Sequence, residues 1–446
     1  MRVSAFGSGG LRTESVSGRT ARMSRLRRFR GVLPVLVILA GAALSLIRAR
    51  RGTLQYYPKD LLTYMGGYYA SSDGANPYSV DDSIRSLERR SFPTAVYRFV
   101  YPPPFMLLML PLEVVPYRYF RLAWLGVVFL ASWAAVWLLS RSIRPPSRLC
   151  FAVLSASLLT GSSVLLDNLR WGQVTPLLVL SIAIMVQRGF RGAIAGIAGS
   201  AITMKAGFVP LLLLLRRKRA VATLMVWLLA VSLVGGMVFG FGSYPRWVSG
   251  VQAIGRMWRL DSSNNLSLSG LISHSSSSWL IEPIDEERAR SDDAYRVSHA
   301  GEERRRISYA LLAATVAAIV FAAARFRTLR RRGEELKRGY ILSLAILLLI
   351  ALLPFVWLHY GLFFLVPIWF LCRRGRRLEA IVMTAMAFAW GMPLGGSLGV
   401  WTSIPGLRSL IPLGWLLWLI SSGPSRPAGS SNTLSMDSAD QTAAVV

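Results

Sequence analysis

The sequence predicts an all-α polytopic membrane protein, with roughly twelve transmembrane or half-membrane helices and two large extracytoplasmic loops. Three observations lead to this fold class. Hydrophobic residues make up 53% of the 446 residues and charged residues only 16%, whereas a soluble domain has about a quarter charged. Several apolar runs approach the roughly 20 residues that a helix needs to cross hydrocarbon. The basic residues form short clusters between these runs, which is typical of cytoplasmic loops.

The N-terminal part of the chain predicts a basic tail followed by a membrane anchor. Residues 1–30 are rich in Arg and Ser and contain no apolar run, which is typical of a disordered cytoplasmic tail. No small-residue cleavage site follows the first span, at about 31–48, so we expect a retained signal anchor. The first extracytoplasmic loop, 49–120, comes next. Its proline-rich apolar piece at 100–116 is too short to span and is expected at the interface.

The middle of the chain predicts three spans and one interrupted segment. The spans lie at about 121–140, 149–166 and 174–187, with basic loops on the cytoplasmic side. Segment 192–215 has basic clusters at both ends, and its centre near Lys205 contains a lysine, a glycine and a proline. Two half-helices that meet near Lys205 keep both basic clusters inside. Broken helices of this kind usually line cavities.

The C-terminal half predicts the second extracytoplasmic loop and the remaining spans. Loop 242–306 carries much of the acidity of the chain. Residues 31–421 are expected to form a single membrane-embedded domain, followed by a disordered polar cytoplasmic tail at 422–446. Both termini are therefore predicted to be cytoplasmic. The remaining spans are expected at about 220–241, 307–325, 339–357, 360–372, 379–393 and 405–421.

The net charge of +29, from 51 Lys and Arg against 22 Asp and Glu, does not indicate nucleic-acid binding. The basic residues alternate with apolar runs, which is a topology signal and not a nucleic-acid footprint. The two cysteines, Cys150 and Cys372, lie at predicted cytoplasmic span ends and argue against a disulfide framework. The sequence contains no Walker A, GxGxxG, HExxH or CxxC motif, which argues against a nucleotide-driven pump, a zinc protease and a redox protein.

Two ionisable residues are candidates for catalysis. Asp60 follows the first span in a stretch dense in aromatic and polar residues. A carboxylate at a membrane face can be desolvated, which raises its pKa toward that of a general base. Of three histidines, His359 alone has a strongly apolar context, where an imidazolium could neutralise a phosphate. From these residues alone, a solvated loop carboxylate and an interfacial histidine remain the alternatives.

Three further polar groups are candidates for substrate binding. The first is a run of amides and hydroxyls at Asn264, Asn265 and Ser267, which suits a sugar or phosphate, although a plain polar loop is the alternative. The second is Lys205, which needs an anionic partner such as a phosphate unless it snorkels to the cytoplasmic interface. The third is a short far-side turn whose Trp is also typical of an interface anchor. This turn contains Arg170, Trp171 and Gln173.

The order of these groups resembles glycosyltransferase family 87, whose members are integral-membrane enzymes of the GT-C class. The resemblance extends from about residue 56 to 371, and its short motifs are weak alone and fairly specific in combination. The matching residues are Asp60, Gly74-Ala75-Asn76-Pro77-Tyr78, Tyr101-Pro102-Pro103, Trp171-Gly172-Gln173, Met204-Lys205, Asn264-Asn265-Leu266-Ser267 with Gly270, and Trp357-Leu358-His359-Tyr360.

The resemblance implies a GT-C-like helical bundle and an inverting glycosyltransferase of the cell membrane. It implies transfer of a hexose or pentose, in the first place mannose, from a polyprenyl-phosphate donor to a lipid-linked or cell-envelope glycan on the extracytoplasmic side. Asp60 would act as the base and His359 would lie near the donor phosphate, with no metal or other cofactor. The implied partners are the donor, the glycan or glycolipid acceptor and membrane lipids. The implied substrate-binding residues are Tyr64, Asn76, Tyr78, Tyr101, Arg170, Trp171, Gln173, Lys205, Asn264, Asn265, Ser267 and Tyr360.

A transport function is the main alternative. Broken helices, a midplane lysine and many spans also describe a secondary transporter or flippase of a lipid-linked or small anionic substrate. A transporter is expected to place its ionisable residues within spans and to have two similar halves, whereas here the polar clusters gather at one face and no halves match. A non-catalytic scaffold for envelope assembly is a third alternative, which variants of Asp60 would test.

Overall fold

The computed structural model of the protein is helical throughout the residues that it describes. Within these residues there is no β-strand. The described residues are 32–50, 57–94, 96–215, 217–257, 334–352, 358–390 and 405–422. Asn264, Asn265, Ser267 and the predicted span at 307–325 lie outside them.

The α-helices alternate with 3₁₀ helices in three places within the described residues. The 3₁₀ helices are Pro103–Glu113, Ala206–Leu214 and Leu358–Phe364. The α-helices are α1 (Val32–Arg50), α2 (Lys59–Ser72), α3 (Val80–Glu88), α4 (Tyr117–Arg141), α5 (Ser147–Gly161), α6 (Val164–Trp171), α7 (Thr175–Gln187), α8 (Gly192–Ile202), α9 (Lys218–Phe239), α10 (Ser243–Met257), α11 (Glu334–Leu352), α12 (Leu365–Arg373), α13 (Arg377–Trp390) and α14 (Pro405–Ser422).

Three of the described helices are long and apolar enough to cross a membrane, namely α1, α4 and α9. The bent pair α5 and α6, with 53° between its helices, passes the same test as one broken span and would make four. These apolar helices indicate a membrane protein. The total of roughly twelve spans and the two large loops remain predictions.

The span predicted at 149–166 is not one straight helix, because the helix breaks at Ser162. Ser162 has extended backbone angles (φ −85°, ψ 171°), which end α5. Its hydroxyl donates to the carbonyl of Leu158 (2.6 Å) and accepts from the backbone N–H of Val164 (3.2 Å). A serine that bonds to nearby backbone offers the chain an alternative to helix. The chain restarts as α6, so the segment up to Trp171, predicted as a turn, is helical.

The interrupted segment at 192–215 forms two separate helical pieces, as predicted. α8 ends at Ile202, and the 3₁₀ helix begins at Ala206. Lys205 lies in the gap between them with an extended backbone (φ −120°, ψ 103°). The side chain of a residue in such a gap can point away from both helix axes, and this is how Lys205 reaches the candidate site.

The first predicted loop contains regular structure: α2, α3 and the 3₁₀ helix Pro103–Glu113. α2 is buried from Leu61 to Ala70. Its Gly66 and Gly67 let neighbouring chain approach closely, because a Cβ on Gly67 would lie 2.7 Å from Phe99 and one on Gly66 would lie 3.1 Å from Ser83. α2 is therefore an inner helix of the fold, and the carboxylate in its first turn faces protein.

The helices pack in two groups that meet around α6. In the first group α4 packs along α7, α7 along α8, and α8 along α9. In the second, α11 packs against α12 and α14, and α12 against α13. α5 contacts α12 and α13, while α6 contacts α2, α4 and the 3₁₀ helix Leu358–Phe364. The short helix α6 thus brings distant parts of the chain to one place.

Candidate active site

Asp60 lies in the first turn of α2 and contacts Gln173, which lies in the turn between α6 and α7. Pro58 precedes the helix, and the Asp60 carboxylate accepts a hydrogen bond from the Gln173 side-chain amide. Amide donation and the positive end of the helix dipole both favour the ionised carboxylate. Burial acts in the opposite direction, and these influences together set the pKa of the group.

Gly172 holds the turn between α6 and α7 against the first turn of α2. It has left-handed backbone angles (φ 71°, ψ 37°), and a Cβ there would lie 3.1 Å from the Cβ of Leu61 and 3.2 Å from that of Pro58. The Trp124 indole N–H donates to the Gly172 carbonyl at 2.9 Å. Glycine therefore permits the close approach that brings Gln173 to Asp60.

We expect Gly172→Ala to lower the free energy of unfolding by about 1–3 kcal/mol, because it combines left-handed strain with steric contact. Thermal unfolding of the purified protein in detergent measures the change. Gly375→Ala is the matched control, since Gly375 also has positive φ (73°) but a Cβ there meets nothing within 4 Å. Equal losses in the two variants would show that the contact with α2 contributes nothing.

Lys205 completes a series of polar side-chain contacts that begins at Asp60. Its Nζ lies 3.4 Å from the Gln173 Oε1 and 3.2 Å from the Thr175 hydroxyl oxygen. The same ammonium lies 4.4 Å from the ring centroid of Tyr360, a cation–π distance. Gln173 thus donates to Asp60 and faces Lys205 with its carbonyl oxygen, which joins a carboxylate and an ammonium through one amide.

His359 lies next to this series of contacts and is 5% exposed. Its ring stacks on Tyr360 with centroids 4.8 Å apart, and its Nδ1 lies 3.7 Å from the Asp167 Oδ2. The Asn168 amide donates to the His359 carbonyl at 3.1 Å and fixes the backbone. The His359 Nε2 is buried without a hydrogen-bond partner among the described residues. Such an atom is available to a substrate group, because buried polar atoms are normally paired.

Asp167 is a site residue that the sequence analysis missed. One carboxylate oxygen faces His359 and the other accepts from the Trp171 indole N–H at 2.9 Å. The signal was the i, i+4 spacing of Asp167 and Trp171, which places them on one helix face. That signal has meaning only once the segment is known to be helical.

The pKa of Asp60 is raised to about 7, mainly because burial disfavours the carboxylate. The nearby Lys205 ammonium opposes the rise, and the Asp167 carboxylate adds to it. A carboxylate with this pKa can take up a proton near neutral pH, which is the property of a general base.

The tyrosines of the predicted set form an aromatic wall behind Asp60. The hydroxyls of Tyr64 and Tyr101 lie 3.2 Å apart, and Tyr101 stacks on Phe105 at 4.2 Å. Tyr78 is buried and its hydroxyl donates to the Tyr101 carbonyl at 3.2 Å. The Asn76 side chain accepts from the backbone N–H of Tyr78 at 3.1 Å, so it stabilises the local turn. The last two residues thus support the wall from outside.

The predicted residues fall into four groups, the first of which is Asn76 and Tyr78, with the bonds given above. Those brought together around Asp60 and His359 are Tyr64, Tyr101, Trp171, Gln173, Lys205 and Tyr360. Arg170 is exposed on α6, and its substrate-binding role remains a prediction. Asn264, Asn265 and Ser267 lie outside the described residues. Among the described residues no group of three His, Cys, Asp or Glu side chains could hold a metal ion.

Comparison with known proteins identifies the family. The model of glycosyltransferase family 87 matches residues 99–354, which is more than half of the chain. No curated protein and no solved structure matches. The matched range includes Asp167, Gln173 and Lys205. Gln173 contacts Asp60, which precedes the range, and Asp167 lies next to His359, which follows it. The chain belongs to glycosyltransferase family 87.

Proposed function

We propose that the protein is an integral-membrane inverting glycosyltransferase that uses a polyprenyl-phosphate sugar. It moves a hexose or pentose, in the first place mannose, to a lipid-linked or cell-envelope glycan on the extracytoplasmic side. One observation carries the proposal: a carboxylate, an ammonium and an imidazole from distant parts of the chain converge, and the imidazole Nε2 is buried without a partner among the described residues. A base next to an anion site is what this reaction needs.

Asp60 acts as the base in this mechanism. The acceptor oxygen attacks the anomeric carbon and passes its proton to the Asp60 carboxylate. The bond between that carbon and the phosphate oxygen breaks, and the phosphate leaves with the electron pair, which inverts the anomeric centre. Gln173 positions the carboxylate through its amide N–H. The pKa of Asp60, about 7, suits uptake of this proton.

Lys205 and His359 stabilise the departing phosphate. Lys205 supplies a positive charge whose nearest described partners are neutral oxygens and the face of Tyr360. The His359 Nε2 supplies a donor in a water-poor site, where electrostatic stabilisation of developing charge has its largest effect. Nε2 donates to the phosphate when the ring is an imidazolium, and the Asp167 carboxylate, 3.7 Å from Nδ1, stabilises this charged form.

The membrane contributes by placing the substrates. A polyprenyl tail lies among the helices, so its phosphate is held at the membrane face beside Asp60. The acceptor arrives from the extracytoplasmic side, and both termini lie in the cytoplasm. Holding the two reactants together makes the reaction effectively unimolecular. Membership of a glycosyltransferase family favours this function over transport.

The test of the proposed function is sugar transfer by the purified protein. It is incubated with a panel of radiolabelled polyprenyl-phosphate sugars, including mannose and pentose forms, and with a synthetic alkyl mannoside or a membrane glycolipid extract as acceptor. We expect label in the acceptor with one donor and inversion at the anomeric carbon. Transfer from nucleotide sugars but from no lipid-linked donor would contradict the proposal.

The proposed base also predicts the pH dependence. Asp60 must be ionised to accept a proton, so kcat/KM should rise as the pH increases through about 7 and then level off. The charge of Asp167 raises the pKa of Asp60, so Asp167→Asn should move this acid limb to lower pH. The measurement is the pH profile of kcat/KM for both proteins.

Glu88→Gln is the control for this profile. It also removes one negative charge, but Glu88 is exposed at the end of α3. The acid limb of this variant should coincide with that of the wild type. An acid limb near pH 4 in the wild type, or equal shifts in both variants, would contradict the assignment of Asp60.

A further inference from the structure

The residues around Asp60 differ in how far they are exposed. His359 is buried, and Lys205 and Tyr360 are half-buried. The more exposed part, here called the open side, contains Tyr97, with 46% of the residue exposed. The pKa of Tyr97 is raised, first by partial burial and second by the Asp60 carboxylate, so its hydroxyl lies within electrostatic reach of the base. This open side has no part in the mechanism described above.

Two aromatic rings form a fixed surface on the open side. The rings of Tyr97 and Trp171 lie side by side, with centroids 6.3 Å apart and planes inclined by 41°. The backbone N–H of Tyr97 donates to the Thr63 hydroxyl at 3.0 Å, which anchors it to α2. The Trp171 indole N–H donates to Asp167 at 2.9 Å, which fixes the second ring. The Trp171 ring is thus held by a side-chain bond, and the Tyr97 ring extends from a backbone that is held against α2.

Lys59 adds a polar donor to this surface. It is exposed, and its Nζ lies 5.6 Å from the centroid of the Trp171 ring. The surface thus combines aromatic faces, a phenol hydroxyl and an ammonium. A sugar ring presents an apolar C–H face and a rim of hydroxyls, which match a surface with apolar faces and polar tips. The rings are too close to enclose a sugar between them, so they can only support one from a single side.

We propose that Tyr97, Trp171 and Lys59 form the acceptor subsite, on which the terminal sugar of the acceptor glycan lies during transfer. The inference rests on the proposed function and adds to it the place and the orientation of the acceptor. The sugar lies flat on the two rings. Its reacting hydroxyl points toward Asp60, and Lys59 donates to a second hydroxyl.

The acceptor fits this surface better than the donor does. A general base must reach the hydroxyl that it deprotonates, so the acceptor must occupy a side of Asp60 that is open to incoming substrate. The donor phosphate needs enclosed positive charge, which the half-buried Lys205 and the buried His359 supply in the proposed mechanism. Tyr97 is therefore a residue that binds the acceptor and has no contact with the leaving group.

The experiment separates the two Michaelis constants. Wild type and Tyr97→Ala are assayed with radiolabelled polyprenyl-phosphate mannose and with octyl mannoside, each varied at a saturating concentration of the other. We expect Tyr97→Ala to raise KM for octyl mannoside about tenfold, with KM for the donor within about twofold, because one stacking surface is lost. Tyr97→Phe keeps the ring and should stay within about threefold of wild type for both constants.

Tyr119→Ala is the matched control, because Tyr119 is also an exposed tyrosine (52%) and pairs with Arg118 at the start of α4. It should leave both constants unchanged. If Tyr97→Ala does not fold, Tyr97→Leu replaces it, since leucine keeps apolar bulk without a flat face. An unchanged acceptor KM, or an equal rise in the donor KM, would overturn the subsite. Absence of transfer by the wild type with every lipid-linked donor would instead overturn the proposed function.

Discussion

Asp60→Asn should abolish sugar transfer while the protein remains folded and inserted. Asparagine has the shape of aspartate and can still accept the hydrogen bond from Gln173, but its amide cannot take up the acceptor proton. Loss of a general base lowers the rate by about 10²–10⁴-fold. Turnover of purified variant and wild type with a lipid-linked donor measures the effect, and thermal unfolding in detergent verifies the fold.

The control for this variant is Asp81→Asn. Asp81 lies in the first turn of α3, in the same predicted extracytoplasmic loop, and is exposed. Its substitution removes the same charge from the same side of the membrane, and we expect turnover within about twofold of wild type, as for an exposed loop charge. Full activity of Asp60→Asn would remove the base from the mechanism, whatever the behaviour of the other residues.

His359→Ala should lower turnover about a hundredfold or more, because removal of one donor that stabilises transition-state charge costs this much. The effect should appear in kcat, while KM for the acceptor changes little, since the proposed mechanism places the imidazole next to the leaving group. His299→Ala is the control for loss of a histidine and should be close to wild type. An effect of His359→Ala below threefold would mean that the residue only packs against Tyr360 and α6.

The sequence could predict the members of the site better than their arrangement. Asp60, Lys205 and His359 were found because a charged residue near apolar sequence is rare and costly. Their contacts could not be predicted, because they depend on residues far apart in sequence, such as Asp60 and Gln173, 113 positions apart. Long-range packing has no local signature, and only motif order suggested a common site.

Two residues were missed because the local sequence around them carries no signal without knowledge of the fold. Asp167 was assigned to the end of a span because the break at Ser162 was not recognised, and without that break the helix face shared with Trp171 does not exist. Tyr97 lies in an extended segment without periodicity, so no pattern distinguishes it from other loop tyrosines. The binding roles of Asn76 and Tyr78 remain predictions, and their described bonds stabilise a turn and support Tyr101.

The bond from Asn168 to the His359 carbonyl joins residues 191 positions apart, and this has a consequence for biosynthesis. A ribosome adds about 5–20 residues per second, so the imidazole emerges roughly 10–40 s after the helix that it faces. A nascent chain in the translocon already carries its carboxylate and its lysine during that interval, but it has no group opposite Asp167. The candidate site can therefore be complete only after residue 359 has been synthesised.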